Sequence, residues 1–229
     1  MSVTQTSTNA APGTKCWSCG KIASGHFCAA CGKIQPLPRG TSYFAFFALP
    51  EKLQIDPEAL EQQFHKLSWK LHPDNFMRAD EFERNLSLER SSELNDAYRA
   101  LRDPLTRVEY LLAHKGMRKE GAAKQQAPPE LLEEVFELNE SLDELRDARA
   151  AGEDLAALRA RLESAEQDFQ EKLEAVDAEL DQVRTEWDAA IEAAEADRAK
   201  LLTRMNEILN RRSYIRNLVA SVAKELADA

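Results

Sequence analysis

The hexapeptide Leu71-His72-Pro73-Asp74-Asn75-Phe76 separates two segments of helical periodicity. Upstream, Asp56-Pro57-Glu58 is a helix start: a capping Asp, then Pro at the first helical position, where a missing N–H costs nothing. From there Leu60, Phe64, Leu67 and Leu71 recur at helical spacing, and Trp69 is read as core. Downstream, Phe82, Leu86, Leu94, Ala97, Tyr98 and Leu101 make a second apolar stripe. Pro73 cannot continue a helix and biases His72 towards extended backbone. The spacing predicts two helices packed antiparallel through their stripes, with His-Pro-Asp on the loop at the tip. In isolation such a tripeptide is ordinary turn chemistry. A short helix around Tyr43 to Ala48 precedes this hairpin. Asp103-Pro104 starts another through Leu105, Val108, Leu111 and Leu112, ending at Gly116.

The composition is 43% apolar and 31% charged with only 8 Gly and 9 Pro in 229 residues, which predicts a helix-rich soluble chain. No window approaches the roughly 18 consecutive apolar residues of a membrane span. Residues 1–15 are Ser/Thr/Ala-rich without an apolar stretch or an Arg, and are read as a disordered tail of a cytoplasmic protein. The net charge of −10 divides unevenly: residues 1–127 carry +3 and residues 128–229 carry −13. An acidic body repels phosphate backbones, so nucleic acid is not expected as a partner. The charge step marks a domain boundary near Gln125-Gln126-Ala127-Pro128-Pro129.

All four cysteines fall in Cys16-Trp17-Ser18-Cys19-Gly20-Lys21-Ile22 and its near copy Cys28-Ala29-Ala30-Cys31-Gly32-Lys33-Ile34. Each C-x-x-C-G unit predicts a tight turn that aims two thiolates at one metal, with Gly in the left-handed conformation. Four thiolates suit one structural, tetrahedral Zn²⁺ site at Cys16, Cys19, Cys28 and Cys31. The module, residues 16–34, is too small to fold on an apolar core, so metal binding should supply its folding energy. Two disulfides, a redox C-x-x-C and an iron site are the alternatives. His26 is read as an exposed loop residue. Gln35-Pro36-Leu37-Pro38-Arg39-Gly40 is read as a stiff linker to residues 41–116.

From Pro129 onward the pattern is purely helical. Leu131, Val135, Leu138, Leu142 and Leu145 form one stripe; Leu132 and Phe136 form a second, beside Glu133, Glu137 and Glu140. Either a third helix covers the second stripe, or it is an apolar docking patch rimmed by carboxylates. Gly152 ends this helix and another starts near Glu153. A reversal between Trp187 and Ala199 leads to a last helix carrying Leu201, Leu202, Met205, Ile208, Leu209, Ile215, Leu218, Val219 and Val222. The expected fold is all-α, with a three-helix bundle over residues 128–229 or a long coiled-coil hairpin.

Residues 41–116 resemble a J-domain. The resemblance rests on Tyr43-Phe44, Phe46-Phe47, Leu49-Pro50, Trp69-Lys70-Leu71, the His-Pro-Asp loop, and Leu94-Asn95-Asp96-Ala97-Tyr98 before Leu101-Arg102-Asp103-Pro104. It implies that His72, Pro73 and Asp74 engage a DnaK-type chaperone and trigger its ATP hydrolysis, catalysing nothing themselves. Many J-domains carry Lys after this tripeptide; this chain has Asn75. His65, Lys66 and Lys70 on the preceding helix are either a solvated face or a basic face for an acidic chaperone surface.

With an acidic three-helix bundle behind it, the chain resembles the HscB co-chaperones of iron–sulfur cluster biogenesis. Arg107-Val108-Glu109-Tyr110-Leu111-Leu112, Glu137-Leu138-Asn139-Glu140-Ser141-Leu142, Trp187-Asp188-Ala189-Ala190 and Tyr214-Ile215-Arg216-Asn217-Leu218 extend the likeness to residue 229. Some members carry an N-terminal tetracysteine module. The resemblance implies an HscA-type ATPase at the J-domain and an IscU-type scaffold at the bundle. The scaffold patch would be Leu132, Phe136, Glu137 and Glu140 with Tyr214 on the last helix. Glu133 departs from an apolar position of the family, and 166–199 is long for it.

Two further functions fit parts of the sequence. One is a general J-protein using the zinc module for unfolded clients; the other is a zinc-ribbon nucleic-acid protein, which the charge disfavours. An enzyme fits least. The sequence has no Ser-His-Asp or Cys-His arrangement and no phosphate-binding Gly loop.

Overall fold

The computed structural model describes residues 13–118, 129–191 and 194–228. The tail up to residue 12 and the charge boundary at 125–128 lie outside them. Most of the described residues are helical, and none of these helices is long and apolar enough to cross a membrane. They form two compact units. The first holds the described residues up to Gly116 together with those from Trp187 to 191; the second holds the remainder.

The first unit opens on a minimal antiparallel ribbon, β1 (Thr14–Lys15) and β2 (Ile22–Ala23). Thr14 and Lys15, assigned to the tail by composition, are thus paired to the cysteine module, which begins before Cys16. Helix α1 (Tyr43–Phe46) follows, capped by the Ser42 hydroxyl and shorter than its aromatic pattern suggested. It buries Phe44 and Phe46. Tyr43 stacks on Tyr110 at 4.3 Å and donates its backbone N–H to the Tyr110 hydroxyl at 2.7 Å.

Helix α2 (Pro57–Leu71) starts as expected: the Asp56 carboxylate accepts from the N–H groups of Glu58 and Ala59, and Pro57 occupies the first turn. Helix α3 (Glu81–Arg102) runs back along it, with Phe64 stacked on Tyr98 at 4.2 Å. Leu60, Leu71, Leu86, Leu94, Ala97 and Leu101 are buried between them and their neighbours. At about 25 cal/mol per Å² of apolar surface, this core is the main stabiliser of the hairpin. Two expected core members are not in it. Trp69 is 81% exposed, because the buried side of α2 runs through Leu60 and Leu71, and position 69 lies almost opposite Leu71. Phe82 is 46% exposed and turns towards the cysteine module instead of α2.

Helix α4 (Pro104–His114) is capped by Asp103 and buries Arg107, Val108, Leu111 and Leu112. Arg107 is the polar keystone of this unit. Its guanidinium donates to the carbonyls of Leu101, Arg102 and Leu53, three acceptors that would otherwise be buried or end-of-helix orphans. The segment 187–191 also belongs here. Trp187 is buried and donates its indole N–H to the Glu51 carbonyl at 2.7 Å. The Asp188 carboxylate accepts the N–H groups of Leu53 and Gln54 at 2.6 and 2.8 Å.

The second unit contains α5 (Leu132–Ala151), most of α6 (Ala156–Ala189), and α7 (Glu195–Asp228). Gly152, at φ 72°, ends α5 with its N–H on the Arg149 carbonyl, while Glu153 bonds the Ala148 carbonyl. Leu138, Leu142, Leu145, Leu162, Phe169, Val176, Met205, Ile208 and Val222 are among the buried apolar residues. Ion pairs set the register: Glu134 with Lys172 and Glu144 with Arg161 join α5 to α6. Asp177 with Arg212 and Glu186 with Arg204 join α6 to α7, and Arg146 with Glu225 joins α5 to α7.

Candidate functional site

At the tip of the α2–α3 hairpin the chain makes a single 3-10 turn, Pro73–Phe76. His72 caps it at φ −58°, ψ 130°, outside the helical region as Pro73 demands. Asp74 donates its N–H to His72 Nδ1 at 3.3 Å, which ties the imidazole to the turn. His72 and Asp74 are both exposed, with Asp74 Oδ2 3.6 Å from His72 Nδ1. Lys66 and Lys70 are exposed on α2. The His-Pro-Asp side chains therefore lie on the surface, not in the hairpin core.

Three side-chain hydrogen bonds that the sequence reading missed hold this tip. Ser87 and Ser91 both donate their hydroxyls to the Leu71 carbonyl, at 2.7 and 2.9 Å. Leu71 is the last residue of α2, so its carbonyl has no partner within the helix. Two polar residues spaced i, i+4 within an apolar stripe were the available signal. The Asn75 side chain donates to the Trp69 carbonyl at 2.6 Å, tying the outgoing strand of the loop to the last turn of α2.

The cysteine module places four sulfurs within 4.8 Å of one another. Its two halves fold alike. Cys16 N–H bonds the Lys21 carbonyl and Gly20 N–H bonds the Cys16 carbonyl. Cys28 with Lys33 and Gly32 with Cys28 repeat both bonds. Gly20 and Gly32 take φ 71° and 72°, a region where a Cβ would be strained. The Sγ pairs Cys16–Cys31 and Cys19–Cys28 lie 3.6 and 3.7 Å apart. That is far beyond a disulfide bond, and all four thiols are free. It matches the edge of about 3.8 Å expected for a tetrahedron of sulfurs each about 2.3 Å from a central ion.

The thiols perturb one another strongly. Burial pushes Cys16 up, but N–H groups of Cys19 and Ser18 aimed at its sulfur outweigh it and bring it down to about 6. At Cys31 a backbone bond near Lys33 favours the thiolate, yet burial and the three neighbouring sulfurs drive it up to about 12. Four thiolates cannot share this space without a cation between them, so the donor set fits a metal ion.

The module is docked on the helical core, another feature not read from the sequence. Trp17 packs edge-on against Phe82 with centroids 4.9 Å apart, and donates its indole N–H to the Ile34 carbonyl. Lys33 pairs with Glu83, which is buried in the first turns of α3. His26 is not the exposed loop residue expected. It lies edge-on to the Phe46 ring, and its Nε2–H donates to the Phe46 carbonyl at 2.9 Å, because a carbonyl can only accept. Burial holds this imidazole below its ordinary pKa; the Phe46 carbonyl opposes that and the nearby Arg90 charge adds to it.

In the second unit, Leu132 and Phe136 are 54% and 64% exposed, while Leu131 and Leu138 are buried. The second stripe of α5 therefore faces away from its own bundle core. Glu137 and Glu140 are exposed beside it and line an open groove of about 770 Å³ between α5 and α6, with Glu134, Asp168 and Glu171. Tyr214 is half-buried on α7.

The HSCB C-terminal oligomerisation domain matches residues 127–176. The co-chaperone protein HscB homolog of Vibrio vulnificus (strain YJ016) is 37% identical over 121 residues, 53% of this chain and 71% of that protein. The iron–sulfur cluster co-chaperone protein HscB homolog of Arabidopsis thaliana is 31% identical over 163 residues, 71% of this chain and 64% of that protein. The crystal structure of human co-chaperone protein HscB shares the fold, with a TM-score of 0.59 at 24% identity over 93% of this chain and 98% of that one. An extent and identity of this order place the chain in the HscB co-chaperone family.

Proposed function

We propose that this chain is a J-type co-chaperone of iron–sulfur cluster biogenesis. It stimulates the ATPase of a DnaK-type, HscA-like chaperone and delivers an IscU-like scaffold protein to it. The observation that carries the reading is the outward presentation of His72, Pro73 and Asp74 on a capped turn whose base is tied to α3. A turn held that way is preorganised for a partner, so little ordering entropy is lost on docking. The domain roles follow. Residues 41–116 dock the ATPase, with Lys66 and Lys70 steering an acidic partner. Residues 128–229 hold the scaffold through Leu132, Phe136, Glu137, Glu140 and Tyr214. Carrying both functions on one chain raises the effective concentration of one binding event for the other.

For the module we propose one structural Zn²⁺ held by Cys16, Cys19, Cys28 and Cys31. A closed set of four thiolates leaves no open coordination position for substrate, which supports a structural role for the ion.

The test is steady-state ATP hydrolysis by the chaperone with the co-chaperone alone, the scaffold alone, and both. Stimulation by the co-chaperone that rises further with the scaffold is the expected result. An unchanged ATPase rate in every combination overturns the reading.

A further inference from the structure

Trp69 stands out among the exposed apolar side chains of the first unit. At 81% exposure it is the most solvent-accessible of its large hydrophobic residues. Among the described residues its indole N–H has no hydrogen-bond partner. Its position is not accidental on the helix: Glu61, Gln62, His65, Lys66, Trp69 and Lys70 are the exposed positions of the second half of α2, a single strip spaced i, i+1, i+4, i+5. That strip ends at His72. Leaving an indole in water forgoes the stabilisation that burying it would give, and nothing in the fold of α2 requires a large apolar residue there.

Three observations indicate what covers it. Lys66 and Lys70 flank Trp69, and neither is in an ion pair among the described residues, so the strip carries unneutralised positive charge around an apolar centre. The Asn75 side chain grips the Trp69 carbonyl at 2.6 Å, which fixes that turn of α2 relative to His72, Pro73 and Asp74. Met77, on the outgoing side of the loop, is 71% exposed, so apolar side chains lie on both sides of the tripeptide.

We infer that Trp69 is a binding and specificity residue for the ATPase partner, inserting into an apolar depression on an acidic surface of that chaperone. This rests on the co-chaperone reading above and deepens it. The flanking lysines supply charge complementarity and the indole supplies buried area, since aromatic anchors ringed by polar contacts dominate such interfaces. A basic residue at position 69 would use charge alone; Trp69 makes the contact selective for a partner with a matching depression.

The experiment uses the full chain, a purified DnaK-type chaperone and ATP. Trp69→Ala and Trp69→Phe are titrated in the steady-state ATPase assay beside wild type and His72→Gln. Because the side chain is exposed, both variants should melt at the wild-type temperature. Trp69→Ala should raise the concentration needed for half-maximal stimulation by about tenfold or more, with Trp69→Phe in between. The loss should lie in that concentration rather than in the plateau. Added salt should shift wild type and Trp69→Ala by similar factors, since the lysines remain. A half-maximal concentration that Trp69→Ala leaves unchanged, while His72→Gln abolishes stimulation, overturns the anchor and leaves the co-chaperone reading intact. A wild-type chain that gives no stimulation overturns both. Sedimentation of the free chains supplies the other arm: self-association lost on Trp69→Ala would assign the residue to a contact between copies and overturn the inference.

Discussion

Lys33 of the cysteine module is ion-paired with Glu83 of α3, and the carboxylate end of that pair is buried. Lys33 follows the last cysteine by two positions, just as Trp17 follows the first by one and His26 precedes the third by two. Each of these three docking side chains thus lies within two positions of a cysteine. The core side of each contact, at Glu83, Phe82 and Phe46, lies on α3 or α1.

Removing the metal should therefore disturb more than the module. With a strong chelator, or in a Cys28→Ser, Cys31→Ser variant, Glu83 loses its cation and the Phe46 carbonyl its donor. Amide hydrogen exchange should speed up in residues 43–47 and 81–84, while the middle of α2 and α3 stays protected. Elemental analysis of the untreated protein should return about one zinc per chain. Unchanged exchange in those two segments after complete metal loss would show that the module is merely tethered.

Ser87 and Ser91 share one acceptor, and that makes their effects non-additive. Either hydroxyl alone still satisfies the Leu71 carbonyl, so each single Ser→Ala change should cost little. The double variant leaves that carbonyl without a partner at the buried end of α2, a penalty of about 1–3 kcal/mol. Urea unfolding of the two singles and the double measures the coupling. Additive costs would mean that water replaces the hydroxyls.

Arg107 tests the same logic at higher stakes. Its guanidinium reaches three carbonyls in different directions, which a lysine ammonium on a single stem cannot reproduce. Arg107→Lys should cost about 1.5–3 kcal/mol, the range for hydrogen bonds to charged groups, although charge is kept. Thermal melting under conditions of reversible unfolding checks it. A variant as stable as wild type would show that the interior tolerates those carbonyls unpaired.

The hairpin was legible because its signals are local. Asp56-Pro57 starts α2, Pro73 stops it, and the stripes through Leu60, Leu71, Leu94 and Leu101 repeat at helical spacing. The sulfur cluster was legible because its spacing is itself the site. Trp69 and Phe82 were misread for different reasons. Trp69 shares a helix face with His65 and Lys66, a readable signal that the usual burial of Trp overrode. Phe82 and His26 find partners far away in sequence, Trp17 and Phe46, which periodicity does not encode. The Asp188 carboxylate, which receives the N–H groups of Leu53 and Gln54, was invisible for the same reason.

Leu132 and Phe136 make the remaining prediction. Both are exposed on α5, so their truncation removes little from the bundle core. In Leu132→Ala, Phe136→Ala, helical content and melting temperature should stay at wild-type values. Affinity for an IscU-type scaffold should fall by about 1–4 kcal/mol, the range for apolar anchors in an interface. The carboxylates nearby should behave otherwise. Glu137 and Glu140 are exposed beside the anchors, so charge removal there should slow association and flatten its salt dependence more than it speeds dissociation. Binding kinetics at two ionic strengths separate the two classes. If the double alanine variant binds as tightly as wild type, the scaffold does not sit on this face. If it instead melts early, the stripe belongs to the bundle core.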